Sequence, residues 1–247
     1  MPHDRLPTSR AIGEGARMTE GWNVVDEERG ILWREYPFTK GAYATTLVVR
    51  GPEGLIVVSP GAGLDARAFD ALREHGEVRA LVANNTFHHL GQKDWRARFP
   101  DATSHCPSAA ITTLAKKAPG VPWRPLSDLA SGAGARFHEP PGFKTGETIV
   151  QVDTKRGAVW WSGDLLANIQ RMPGPPIRWL FSLTDSAPGF RLFKLAVWTL
   201  VKDRAAVRDA LLRELDAHPP AIVVPAHGPP VDTADVAERA RAQLKKL

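Results

Sequence analysis

The stretch Arg79-Ala80-Leu81-Val82-Ala83-Asn84, continued by Asn85-Thr86-Phe87-His88-His89-Leu90-Gly91, carries most of what the sequence says about the fold. Its first half is a short apolar run that predicts a buried strand, and its second half places two adjacent histidines just beyond the strand end. Neighbouring residues on a helix project about 100° apart, so adjacent imidazoles converge on one point only from irregular backbone. Two further segments, Trp161-Ser162-Gly163-Asp164 and Pro225-Ala226-His227-Gly228, also follow predicted strands. Loops at strand ends are where a rigid sheet aims side chains at a common point. Neutral imidazoles and a carboxylate are ligands that zinc, iron or manganese accept. Taken singly each signal is weak, since a His beside Gly is more often a cap or core residue and Ser-Gly-Asp is a common turn.

Outward from these segments, strand-length apolar runs alternate with helical patterns, which predicts an α/β or α+β chain with layered sheets. Ala44–Arg50 and Leu55–Ser59 flank Gly51-Pro52-Glu53-Gly54 and predict a β-hairpin. Leu64, Ala68 and Leu72 share a helical face over Leu64–His75, which Gly76 ends. A helix carrying Trp95 and Phe99 follows the histidines and stops at Pro100. In the second half, Thr148–Val152 and Ala158–Trp161 pair around Lys155-Arg156-Gly157. Ala221–Val224 is a strand between a helix with Val207, Leu211 and Leu215 and a last helix near Val236–Leu244. Hairpin, strands and helices recur in both halves, so two sheets should face each other inside an outer layer of helices.

The 247 residues suffice to bury a large core without disulfides or a structural metal. Hydrophobic residues make up 43% and charged residues 24%, which excludes a disordered or fibrous chain. The single cysteine, Cys106, excludes an intrachain disulfide and an all-cysteine zinc site. Net charge is +5, but the 32 basic residues are interspersed with 27 acidic ones, so no nucleic-acid stripe is expected. No apolar run reaches the ~18 residues of a membrane span. Residues 1–19 lack the apolar core of a secretory signal and read as a mobile tail before one domain over residues 20–247. The expected compartment is the cytoplasm.

The order of the segments resembles the metallo-β-lactamase superfamily, over nearly the whole chain from about Ala44. The family's strand ending in Asp-x-Gly corresponds to Ser59-Pro60-Gly61, and its His-x-His-x-Asp-His motif to Asn84 through His89. Its Pro-Gly-His-Thr loop corresponds to Pro141-Gly142-Phe143-Lys144-Thr145-Gly146. The Ser-Gly-Asp turn at Ser162–Asp164 and the terminal His-Gly at His227-Gly228 are intact. The resemblance implies a four-layer αβ/βα sandwich. It also implies a pattern in the departures. The first metal of the family's pair would face Asn84, Thr86 and Phe143, and so loses its private ligands. The second would face His88, His89, Asp164 and His227, all able to coordinate, with His88 replacing an Asp. Ser59 likewise replaces an Asp that orients the first site.

The resemblance thus implies a divergent mononuclear metal-dependent hydrolase acting on a small molecule, with one ion, zinc before iron or manganese, held by His88, His89, Asp164 and His227. Asp164 and His89 are the candidate catalytic residues, and Lys144 a candidate for neutralising an anionic substrate group. The competing reading is a metal-free binding or interaction module on the same fold, in which Asn84 and Thr86 serve as helix N-caps.

Other segments carry less. Gly142 to Gly146 lacks phosphate-loop spacing. Cys106 beside His105 reads as a buried structural thiol. His138 reads as a loop residue, and His75 and His218 as cations at helix C-termini. Pro176–Val201 alternates apolar residues with Arg178, Arg191, Lys194 and, just beyond it, Lys202. The plain reading is a buried helix with snorkelling basic residues. The sharper ones are a lid, self-association, or contact with a membrane surface.

Overall fold

Side chains alternate across a strand, so Leu55 and Val57 leave one face of a sheet while Ile56 and Val58 leave the other. In a computed structural model of the protein both faces are buried. The structure describes residues 18–19, 21–39, 41–130, 132, 134–172, 174–175 and 177–247. The first half forms β1 (Met18–Thr19), β2 (Trp22–Asp26), β3 (Ile31–Thr39), β4 (Ala42–Arg50), β5 (Leu55–Val58), α1 (Ala66–Arg73), β6 (Val78–Val82), α2 (Gln92–Arg98), β7 (Thr103–Cys106), α3 (Ile111–Lys117) and β8 (Trp123–Pro125). Its strands make one sheet in chain order, antiparallel from β1 to β5 and parallel from β5 to β8.

The second half forms β9 (Ala135–His138), β10 (Ile149–Thr154), β11 (Gly157–Trp161), β12 (Leu166–Ile169), α4 (Ile177–Leu183), β13 (Gly189–Leu192), α5 (Lys194–Leu200), α6 (Arg204–Ala217), β14 (Pro220–Val224) and α7 (Val236–Leu244). The second sheet has the order β14-β11-β10-β9, and β12 pairs with β13 as a separate ribbon.

The apolar alternation assembles these elements into four layers. Val49, Ile56, Val58 and Val82 of the first sheet pack directly on Val150, Val152, Trp161 and Val224 of the second. The first sheet's other face, with Leu55, Val57 and Leu81, is covered by Phe69 and Leu72 of α1 and Trp95 of α2. The second sheet's outer face, with Trp160 and Val223, is covered by Val207, Leu211 and Leu215 of α6 and Leu244 of α7. Burying each such side chain stabilises by about 1.5–3 kcal/mol, so the sandwich rests on its periodicity. The four-layer αβ/βα sandwich expected from the sequence is the observed architecture.

Several local expectations hold. Gly51 N–H donates to the Gly54 carbonyl and closes the β4–β5 hairpin. The helix expected over Leu64–His75 is α1, which starts two residues later because Asp65 caps it by accepting from Ala68 N–H at 3.0 Å. Others do not. Asn84 and Thr86 cap no helix, and the Asn84 amide is spent on a buried carboxylate instead. His138 lies on β9, where it meets Gln151 Oε1 at 3.1 Å. The reading of Pro176–Val201 as one buried helix fails, because α4, β13 and α5 divide it and no α4 residue is buried. Pro188 and Gly189 break the helical pattern there. Residues 1–17 of the expected tail, and Pro176, lie outside the described residues, while Met18–Thr19 pairs with β2. No helix among the described residues is long and apolar enough to cross a membrane.

Candidate metal centre

Three chain segments meet at one edge of the two sheets because backbone hydrogen bonds tie their loops together. Ser59 N–H donates to the Val82 carbonyl at 2.8 Å, which joins the end of β5 to the end of β6. Ala226 N–H donates to the Gly163 carbonyl at 3.1 Å, joining the turn after β11 to the loop after β14. Thr45 N–H, on β4, donates to the Ala226 carbonyl at 2.8 Å and so ties the second sheet's loop to the first sheet.

These ties converge His88, Asp164 and His227, whose donor atoms lie within 4.8 Å of one another. His88 Nε2 is 2.9 Å from Asp164 Oδ1, and His227 Nε2 is 3.3 Å from the same oxygen. The outer nitrogens are anchored: His227 Nδ1 donates to the Tyr43 carbonyl at 2.9 Å, and His88 Nδ1 meets Ser59 Oγ at 2.7 Å. Ser59 in turn meets Tyr36 OH at 3.2 Å. It is held at φ +56, a region an L side chain rarely adopts, by its own N–H and by Thr46 Oγ1 donating to its carbonyl.

The anchoring has a chemical consequence. A proton fixed on His227 Nδ1 by a carbonyl leaves Nε2 of the neutral ring as a lone pair aimed at a carboxylate oxygen. Two acceptors face each other unless a proton or a cation lies between them. Burial alone would raise the Asp164 pKa, but His88 and His227 hold the carboxyl well below the usual range. Burial alone would lower the His227 pKa, and its hydrogen bond to Asp164 raises it instead.

Sequence reasoning missed the partner of the other carboxylate oxygen. Asn85 Nδ2 donates to Asp164 Oδ2 and to Glu147 Oε2, both at 2.8 Å, and Asn84 Nδ2 donates to Glu147 Oε1 at 2.7 Å. Glu147 is fully buried. Burial first, and then the Asp164 charge, push its pKa well above the ordinary carboxylate value, against the pull of the Asn84 and Asn85 donors. A Glu abutting the apolar run of β10 was the available signal, since such a charge is rarely buried without partners. Gly163 permits the arrangement: it sits at φ +56, and a Cβ there would lie 2.5 Å from Glu147 Oε1.

The remaining candidates lie apart. His89 lines the same cavity, but its nitrogens are not among the converging donors. Burial, then the Lys117 charge, lower its pKa. Lys144 does not line the cavity; its Nζ donates to the Trp198 carbonyl at 2.8 Å, at the end of α5. Phe143 packs against the outer core of the second sheet. The cavity above the cluster holds about 600 Å³. Its walls are mostly apolar, with Phe38, Phe87, Leu90, Phe181 and Phe193, and Glu35 and Arg171 add charge.

No family model matches the sequence, and no curated protein matches it. Solved structures do match the fold. The chain superposes on a metallo-β-lactamase from Pontibacter korlensis at 16% identity and a TM-score of 0.56, covering 88% of this chain and 94% of that one. A metallo-β-lactamase from Erythrobacter litoralis gives 14% identity and 0.58, with 94% and 100% covered. The metallo-β-lactamase FIM-1 from Pseudomonas aeruginosa, in its mono-zinc form, gives 12% and 0.54, with 94% of each chain covered.

Proposed function

We propose that this chain, which has the metallo-β-lactamase fold, is a hydrolase using a single divalent transition-metal ion held by His88 Nε2, Asp164 Oδ1 and His227 Nε2. One observation carries the reading: two imidazoles anchored through their outer nitrogens present their inner ones to a single carboxylate oxygen at the base of a cavity. Metal-binding histidines are held in this way through their second nitrogen. Donors at about 2.0–2.1 Å from one tetrahedral zinc lie roughly 3.3 Å apart. The separations of 2.9 and 3.3 Å are close to that. Three ligands rather than four leave a position open, as catalytic zinc sites do. Zinc suits the N₂O donor set, with iron or manganese as alternatives.

The ion, when bound, would supply Lewis acidity and a bound water with a pKa of about 7. The chain's own groups do the rest. Asn85 occupies Asp164 Oδ2, so the carboxylate keeps Oδ1 turned to the histidines. Asn84, Asn85 and Glu147 close a hydrogen-bonded network beside it, which supplies no imidazole for a second ion. His89 lines the cavity as a further imidazole able to exchange a proton with a bound molecule. The apolar walls favour a small molecule with apolar surface.

A metal-free module is the second reading, favoured by one observation. Tyr36 can donate to Ser59 and Ser59 to His88 Nδ1, leaving His88 Nε2–H to donate to Asp164, so part of the cluster is satisfied by protons alone. Elemental analysis of protein purified without chelator separates the two. One ion per chain, lost in both Asp164→Ala and His227→Ala, is expected for the hydrolase. No ion after adding excess zinc, iron or manganese supports the module, and two ions per chain refute the single-ion site.

A further inference from the structure

Nine large apolar side chains are exposed among the described residues, and all belong to the cavity or to helices that wall it. Phe38, Tyr43, Phe87 and Leu90 line the cavity while remaining 40–51% exposed. The other five are Ile177, Trp179, Leu180 and Leu183 on α4 and Trp198 on α5. The same two helices give Phe181, Leu195 and Thr199 to the cavity wall. Leu183 is 86% exposed and Trp179 64%, far from what an apolar side chain gains by folding into a core. A seven-residue helix is too short to be stable without packing, yet none of the residues of α4 is buried.

Cations outnumber acids around this face, with Arg178, Arg191, Lys194 and Lys202 against Asp185 and Asp203. Arg178 lies on α4, Lys194 opens α5 and Lys202 follows it, and none of the three has an ion pair among the described residues. The nearby acids are engaged: Asp185 pairs with Arg191 at 2.6 Å, and Asp203 caps α6 by accepting from Ala206 N–H. A second copy packed on this face by two-fold symmetry would set the basic residues against each other, which opposes self-association. Tryptophan and leucine framed by unpaired Lys and Arg suit the boundary between apolar chains and anionic headgroups.

We propose that the α4–α5 face docks on an anionic lipid bilayer surface, with Trp179, Leu183 and Trp198 inserted and Arg178, Lys194 and Lys202 at the headgroups. Docking there sets the cavity mouth at the lipid interface, and it requires no metal.

Flotation of the full chain with phosphatidylcholine vesicles, with and without phosphatidylglycerol, tests it. Binding is expected only with phosphatidylglycerol present, weakening as salt is raised. Arg178→Gln and Lys202→Gln should each lower partitioning about fivefold. The pair Trp179→Ser and Leu183→Ser should abolish it at every salt concentration, with circular dichroism and melting temperature unchanged because neither side chain packs in a core. Failure to bind, or equal binding to both vesicle types, overturns the proposal. So does a dimer in light scattering that Trp179→Ser and Leu183→Ser dissolve, or vesicle binding that survives those substitutions.

Discussion

A single amide, Asn85 Nδ2, donates to the carboxyl groups of both Asp164 and Glu147 and ties the two together. Removing it in Asn85→Ala leaves two buried oxygens a donor short, each costing about 1–3 kcal/mol. The sign with pH is set by Glu147. Its folded pKa is raised, so the stability linked to its neutral form is present below the ordinary Glu value and is lost as pH rises through the raised one. Asn85 donates to Glu147 Oε2, a bond that favours the ionised carboxylate. The deficit of Asn85→Ala against wild type should therefore widen as pH rises through the raised Glu147 pKa, which denaturant unfolding over a pH series reads. Cys106 gives a second test. It is fully buried at the end of β7, and burial first, then the Glu139 charge, push its pKa up to about 12. Because the thiolate is the nucleophile, a disulfide reagent at pH 8 should leave Cys106 unmodified in the native protein and label it on unfolding.

At the scale of elements, the site depends on the turn between β11 and β12 more than on any helix. Gly163 lets this turn press its backbone against the Glu147 carboxylate while handing its carbonyl to Ala226. Gly163→Ala forces a side chain into a left-handed conformation and against Glu147 Oε1. Conformational strain of that kind costs about 1–3 kcal/mol. The displaced turn should also move Asp164, so metal uptake should fall along with the unfolding midpoint. By contrast Asp65→Ala, which removes the N-cap of α1 and no hydrogen bond of the cluster, should cost about 1 kcal/mol and leave uptake unchanged. Titration of zinc into both variants, monitored beside their melting curves, separates a displaced site from a merely destabilised fold.

Across the whole molecule, the cluster joins the two halves of the sandwich. His88 follows the first sheet, Asp164 and His227 follow the second, and Tyr43 on β4 holds His227 from across the interface. An ion bound there would act as a clasp between the halves, added to the apolar packing and the hydrogen bonds of Tyr43 and Thr45. Ligand present at about 100 times its dissociation constant stabilises the state that binds it by about 2.7 kcal/mol. Zinc added to chelator-stripped protein should raise the melting temperature by about 5–10 °C on that basis, for a chain of this size. His227→Ala should remove the shift. Asn84→Ala should keep it, since the Asn84 amide donates to Glu147 and not to Asp164.

The strands, the hairpin and the two facing sheets were legible in the chain because each rests on local information, whereas the full sandwich and the candidate ligands came from the order of the motifs through the resemblance. Unbroken apolar runs at Leu55–Val58 and Val159–Trp161 mark strands buried on both faces, and Gly76 follows the end of α1. The ordered motifs around His88, Asp164 and His227 placed those residues at strand ends, where the structure brings them together. What the sequence could not supply depends on contacts between residues far apart. Glu147 enters the site only because Asn84 and Asn85 reach it across 63 and 62 positions. His89, beside His88 in the chain, stands outside the converging donors because one residue of backbone rotation turns its ring elsewhere. Lys144 is drawn to the Trp198 carbonyl by the unsatisfied end of α5, and α4 keeps an apolar face in solvent because no layer of this sandwich extends over it. Periodicity sets which face a residue takes within its own element; which partner waits there is decided by packing.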